Sequence, residues 1–144
     1  MSVTVREIKE GDYPALLPLW NDELGNRHVT AENIARHCDR VKGDGRYKTF
    51  VALIGDEVVG FISSVQSFAV GFEGRFMQII GIAVKREKQG MGIGKMLVGR
   101  MESFAKEQGC YHIGLNSGEK RKDAHAFFRR SGYTTDSLCF GKAL

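Results

Sequence analysis

The sequence predicts an α+β fold: one domain over residues 1–144, with a mixed but mostly antiparallel sheet of six or seven strands flanked by about four helices. Three observations predict it. A length of 144 residues suits one domain. The strand-like and helix-like runs follow the order β-α-α-β-β-β-α-β-α-β. Tight-turn residues link strand-like runs in the middle of the chain, as in antiparallel neighbours.

Each element has its own signal. Val3 to Ile8 (VTVREI) alternates apolar and polar residues, the period of a half-buried strand. Tyr13 to Leu24 carries helical apolar spacing, with Pro14 at a first-turn position and Pro18 set to kink or split it. Thr30 caps a second helix reaching about Val41, which Gly43-Asp44-Gly45 closes. Thr49–Ile54 and Glu57–Ala69 flank Gly55-Asp56 as a hairpin. Phe76–Val84 is almost continuously apolar, the mark of a strand covered on both faces. From Gly92 to Gln108, Ile93, Leu97, Met101 and Phe104 recur at helical spacing, Glu102 and Lys106 stand as an i,i+4 pair, and Gly109 ends the helix. Tyr111–Leu115 is a further strand, Lys122–Ser131 a short helix ended by Gly132, and Thr134–Leu144 returns to the β pattern.

Composition excludes several classes. With 42% hydrophobic and 26% charged residues the chain is ordinary globular material, not disordered or low-complexity. No run reaches the length of a membrane span, and MSVTVREIKEGD meets charge at once, so neither a membrane partner nor a signal peptide is expected. Cys38, Cys110 and Cys139 are odd in number and widely spaced, which points to a reducing, cytoplasmic setting and to small buried hydrophobes. His28, His37, His112 and His125 have no metal spacing, so no metal is expected. The net charge of +4 admits nucleic acid or an anionic small ligand. No arginine-rich tail or aromatic-basic interleaving accompanies it, and the expectation is no nucleic-acid partner.

Glycine is in excess, 18 residues where average usage gives roughly ten. Three of them fall in Phe76–Lys95, FMQIIGIAVKREKQGMGIGK: a buried strand, a short basic loop, then Gly90, Gly92 and Gly94 opening a helix. Such a segment is an anion cradle, because glycines admit close backbone approach and the first N–H groups of a helix point outward along its dipole. Lys85, Lys88 and Lys95 add positive charge. The dinucleotide fingerprint fails at Lys95, and the P-loop pattern fails at Gln89 and Met96. The spacing that fits is Q-x-x-G-x-G, Gln89 to Gly94.

That pattern, preceded by Val84 and followed by Leu97, resembles the acetyl-CoA signature of the GCN5-related N-acetyltransferase (GNAT) superfamily. RKDAHAFFRRSGY, Arg121 to Tyr133, resembles the superfamily's second block. With the order of the remaining elements the resemblance spans essentially the whole chain. It implies a single acyl-CoA N-acyltransferase domain and acetyl-CoA as co-substrate, its pyrophosphate held by the backbone of Gln89, Gly90, Met91, Gly92, Ile93, Gly94 and Lys95. It also implies that Ile82, Ala83 and Val84 pair with the pantetheine arm as an added strand would, with Asn116, Ala124, Phe127 and Phe128 beside it. The implied reaction is direct attack by a primary amine, of a small molecule or a protein, on the thioester in a ternary complex, and the amide of Ile82 or Val84 is the implied oxyanion donor.

Departures from the pattern fall on the proton-handling groups. The leaving-group tyrosine is replaced by Phe128, and the usual glutamate position falls at Gly81 or Ile80. Glu73, Asn116 and Tyr133 are the residues left as catalytic candidates, Glu73 being the nearby group able to accept a proton. The expected chemistry rests on positioning, with proton removal through ordered water. His125 is expected to position rather than react. The alternative is a non-catalytic acyl-CoA-binding or sensor domain. The acceptor site is expected among Trp20, Asn21, Asp22, Glu23 and His28 and the loop Phe68–Arg75, whose FAVGFEGRF also suits a homodimer contact.

Overall fold

The chain is built on one sheet with strands in the order β1-β2-β3-β4-β5. The structure, a computed structural model, describes residues 2–144. Its strands are β1 Val3–Glu7, β2 Tyr47–Ile54, β3 Glu57–Phe68, β4 Arg75–Val84 and β5 Cys110–Leu115. Its helices are α1 Tyr13–Pro18, α2 Ile34–Val41, α3 Ile93–Glu107 and α4 Lys122–Arg130. β1 through β4 run antiparallel, and β5 joins β4 in parallel. The parallel pair follows from the connection, since α3 carries the chain back along the sheet before β5 begins. Among the described residues no helix is long and apolar enough to cross a membrane.

β4 is covered on both faces, which accounts for its continuous apolar run. On one face Phe50, Ile62, Met77 and Ile79 pack with Ile93, Leu97 and Met101 of α3 and Phe128 of α4. On the other, Val51, Phe61 and Ala83 pack with Leu16 and Leu19.

Three expectations change. The sheet has five strands among the described residues, not six or seven. Thr134–Leu144 has the alternation of a strand but no strand assignment, and its residues are exposed, Leu138 at 80% and Phe140 at 88%. A β pattern becomes a strand only where a neighbour's edge takes up its N–H and C=O groups. The second helix begins at Ile34 rather than at Thr30, because the Asn33 side chain accepts from the Thr30 N–H at 2.8 Å and donates to the His28 carbonyl at 3.0 Å, holding residues 30–33 as a turn. Cys38 is buried as expected, whereas Cys139 is exposed.

Pro18 splits the first helical stretch. α1 ends there and Leu19–Glu23 continues as a wide π-type turn, with the Leu24 N–H reaching the Leu19 carbonyl at 3.2 Å. Proline has no N–H to give the preceding turn, and the wider ladder re-aims the residues that follow.

Candidate active site: an open strand edge beside a helix start

β4 outruns its parallel neighbour. The β4–β5 register ends at Ile79 opposite Leu115, while β4 continues to Val84. Gly81–Val84 is thus paired on the β3 side alone. Strand parity says which groups this leaves open. The Lys85 N–H donates to the Val59 carbonyl at 2.8 Å, so residues 83 and 85 turn their backbone toward β3, and Ile82 and Val84 turn theirs to the open edge. The Val84 carbonyl accordingly accepts from Gln89 Nε2 at 3.0 Å.

A bulge at Ile80 produces this arrangement. The register passes from Ser63 opposite Gly81 to Ser64 opposite Ile79, skipping Ile80. Ahead of the bulge Met77 and Ile79 face the α3 side; beyond it Ala83 packs on the α1 side and Ile82 and Val84 border the α3 cluster. Asn116 and Ser117 follow the last residue of β5, at the point where the strands part. Asn116 is exposed, and Ser117 Oγ is buried without a hydrogen-bond partner.

The helix start lies just past β4. Gly90 and Gly92 both have φ of +83°, a conformation in which other residues are strained, and nothing lies within 4 Å of where their Cβ atoms would stand. Gly92 caps α3, and the first of its ladder bonds runs from the Met96 N–H to the Gly92 carbonyl at 3.1 Å. The N–H groups of Ile93, Gly94 and Lys95 therefore have no intrahelical acceptor and face outward. Gly94 serves differently: a Cβ there would meet the Phe127 ring at 3.2 Å. Of the lysines expected to add charge, Lys85 is taken by Glu57 at 2.7 Å, while Lys95 is exposed on the first turn.

The remaining sequence-derived candidates are dispersed. Glu73 is exposed in the β3–β4 turn, and a rise of about 3.3 Å per residue puts it roughly 25 Å from the Ile82 amide. The Tyr133 hydroxyl donates to Glu102 Oε2 on α3 at 2.9 Å; burial and the Glu102 carboxylate raise it well above the ordinary tyrosine range, so it keeps its proton. Glu102 takes that hydroxyl in place of the expected pairing with Lys106. Phe128 is buried, with its ring against Phe127 and Tyr133. Ala124 and Phe127 border the same α3-side cluster. His125 Nε2 lies 2.8 Å from the Gly118 carbonyl, tying the loop after β5 to α4. Ala83 turns its backbone away from the open edge.

One carboxylate does reach the open edge. Glu23 Oε2 lies 3.4 Å from Gln89 Nε2, the same nitrogen that holds the Val84 carbonyl. The sequence offers Glu23 as one of several expected acceptor-site residues, with no sign that it reaches β4. What brings it to β4 is the π-type turn, whose one sequence signal is Pro18.

A family model described as "Acetyltransferase (GNAT) family" matches residues 5–133. An aminoalkylphosphonate N-acetyltransferase of Salmonella typhimurium is 30% identical, the match covering 82% of this chain and 90% of that protein. A solved structure of a Bacillus halodurans protein described as a transcriptional regulator superposes with a TM-score of 0.91 at 25% identity, over 99% of this chain and all of that one. An aminoglycoside acetyltransferase from a soil metagenomic sample shares the fold, with a TM-score of 0.86 at 21% identity over 99% of this chain and 96% of that one.

Proposed function

The chain belongs to the acetyltransferase (GNAT) family and is an acetyltransferase, and from that premise we propose that it moves an acetyl group from acetyl-CoA to a primary amine by direct attack in a ternary complex. The observation that carries this reading is the half-paired strand Gly81–Val84 ending beside a helix start that has no side-chain cap.

The residues fit the co-substrate. A pantetheine arm carries amide groups, and the open backbone of Ile82 and Val84 is a strand edge that would pair with them. A pyrophosphate is met by the N–H groups of Ile93, Gly94 and Lys95 at the positive end of α3, in a space that Gly90 and Gly92 leave clear. Ser117 Oγ, buried without a partner, and the Asn116 amide stand where the strands part, as donors or acceptors for the arm or for an ordered water.

When bound, acetyl-CoA supplies the activated acetyl thioester. The amide of Ile82 faces the open edge and is the oxyanion donor nearest the bulge. Gln89 holds the Val84 carbonyl, which fixes the loop between strand and helix. Ala124, Phe127 and Phe128 act as packing: Phe127 covers Gly94, and Phe128 anchors α4 in the core. No leaving-group acid is assigned to Phe128 or Tyr133, and the thiolate takes its proton from solvent. The acceptor lies on the α1 side of β4, bordered by the π-type turn and Trp20. A small amine is the first class to test, with aminoalkylphosphonates first because of the relative at 30% identity. FAVGFEGRF, the turn between β3 and β4, is the homodimer contact.

Release of free thiol from acetyl-CoA, measured over 2-aminoethylphosphonate, n-butylamine, an aminoglycoside and a peptide amino terminus, tests the reading. Calorimetric titration with CoA accompanies it. Thiol release with an amine supports acetyl transfer; tight CoA binding with no release for any amine supports a non-catalytic acyl-CoA-binding domain instead.

A further inference from the structure

The family resemblance puts the proton-removing carboxylate at Gly81 or Ile80, and the structure shows why Gly81 has none. A Cβ there would stand 3.4 Å from Cε2 of Phe61 and 3.8 Å from Cδ1 of Leu24. Phe61 is fully buried, and the Trp20 ring meets it edge-on at 6.1 Å. A carboxylate on the strand would be driven into an apolar wall.

The same ground is reached from the other side. Leu24 closes over Gly81, and Glu23, one residue before it, meets the open half of β4 through Gln89. Among the described residues Glu23 forms no ion pair. A carboxylate lacking a cation beside the reactive edge is completed by a cation carrying several N–H groups. A protonated primary amine is that cation.

We propose that Glu23 replaces the missing strand carboxylate: it holds the acceptor ammonium at the open half of β4 and accepts its proton. This rests on the acetyl-transfer reading above. The bookkeeping is complete without another reactant. Glu23 takes one proton from the ammonium and passes it to water; the freed nitrogen pair forms the C–N bond; the C–S bond breaks with its pair on sulfur, the nitrogen's second proton goes to solvent, and the thiolate takes one proton from solvent. Gln89 is a positioning residue, since its amide fixes the Glu23 carboxylate relative to the Val84 carbonyl.

The test uses the full chain with acetyl-CoA and either 2-aminoethylphosphonate or n-butylamine. E23Q raises the KM for the amine about tenfold, the loss of one charge-assisted contact, and lowers kcat about a hundredfold, the loss of a general base. Its affinity for CoA in calorimetry stays at the wild-type value, which separates this role from misfolding. E23D recovers much of kcat, because the carboxylate remains within reach. Wild-type kcat and KM in E23Q overturn the proposal. If the wild type releases no thiol with any amine, the acetyl-transfer reading fails, and Glu23 is then decided by binding: n-butylamine titrated into the CoA complex must bind more weakly to E23Q, and equal binding overturns the proposal.

Discussion

The ring of Phe127 lies over Gly94, with Cε1 and Cζ each 3.2 Å from where a Cβ on that glycine would stand. Gly94 therefore admits an aromatic ring from α4, whereas Gly90 and Gly92, both at φ of +83°, shape the turn before α3. The spacing Q-x-x-G-x-G joins two physical requirements in one string of residues.

These requirements predict opposite rescue behaviour. Gly92→Ala strains a left-handed cap at a cost of about 1–2 kcal/mol, and its main expression is a several-fold higher KM for acetyl-CoA. Gly94→Ala sets an overpacking cost of about 1–3 kcal/mol against a helix-propensity gain of about 1 kcal/mol, and shows as a modest fall in Tm. Adding Phe127→Leu clears space, restoring Gly94→Ala and leaving Gly92→Ala unimproved. Thermal melts and acetyl-CoA KM values of the two double variants check this. Rescue of both glycine variants, or of neither, would refute the division.

Phe128→Tyr does not install a leaving-group acid. The Phe128 side chain is 8% exposed and packed among Phe127, Tyr133 and the α3-side cluster, so a new hydroxyl is buried without a partner at about 1–3 kcal/mol. A lower Tm with no gain in thiol release is the expected result. Faster release from F128Y would place this ring at the thioester.

Much of the fold was legible because its signals are local. The β4 run is apolar throughout since both faces are covered, and the α3 period is clear since one face meets the sheet. The glycine turn before α3 was legible for the same reason: Gly90, Gly92 and Gly94 act through their own backbone or their own Cβ space. Thr134–Leu144 misled because alternation describes a side-chain pattern, whereas a strand also requires a free edge. The contact between Glu23 and Gln89 was hidden because it arises only through the ladder shift after Pro18, between residues far apart in sequence. Glu73 drew notice by proximity along the chain, yet an extended strand carries it far from Ile82.

Self-association is expected to centre on the β3–β4 turn. Phe68, Val70 and Phe72 are exposed there, and the Phe72 ring stacks on Tyr111 of edge strand β5 at 5.3 Å and 13°. An exposed apolar patch of this kind favours packing against a second copy. Sedimentation equilibrium is expected to give a dimer for the wild type and a monomer for V70D/F72D, with folded circular dichroism in both. A monomeric wild type would remove this contact from the account.

Tyr133 predicts how the fold responds to alkali. Its hydroxyl donates to Glu102 at 2.9 Å, and burial with the neighbouring carboxylate holds its pKa above the ordinary value of 10.0. The unfolded chain releases this proton first. Stability from the bond is therefore complete below about pH 10 and declines as pH rises further, because the unfolded state gains by ionising while the folded state stays protonated. Tyr133→Phe removes both the bond and the titration. Its Tm should lie below wild type at pH 8, by the few degrees that about 1 kcal/mol represents, and the difference should shrink between pH 10 and 11. Thiol release at pH 8 should change less than twofold, since the hydroxyl stands on α3 rather than at the open edge of β4. Loss of turnover with an unchanged Tm would assign Tyr133 to the reaction instead.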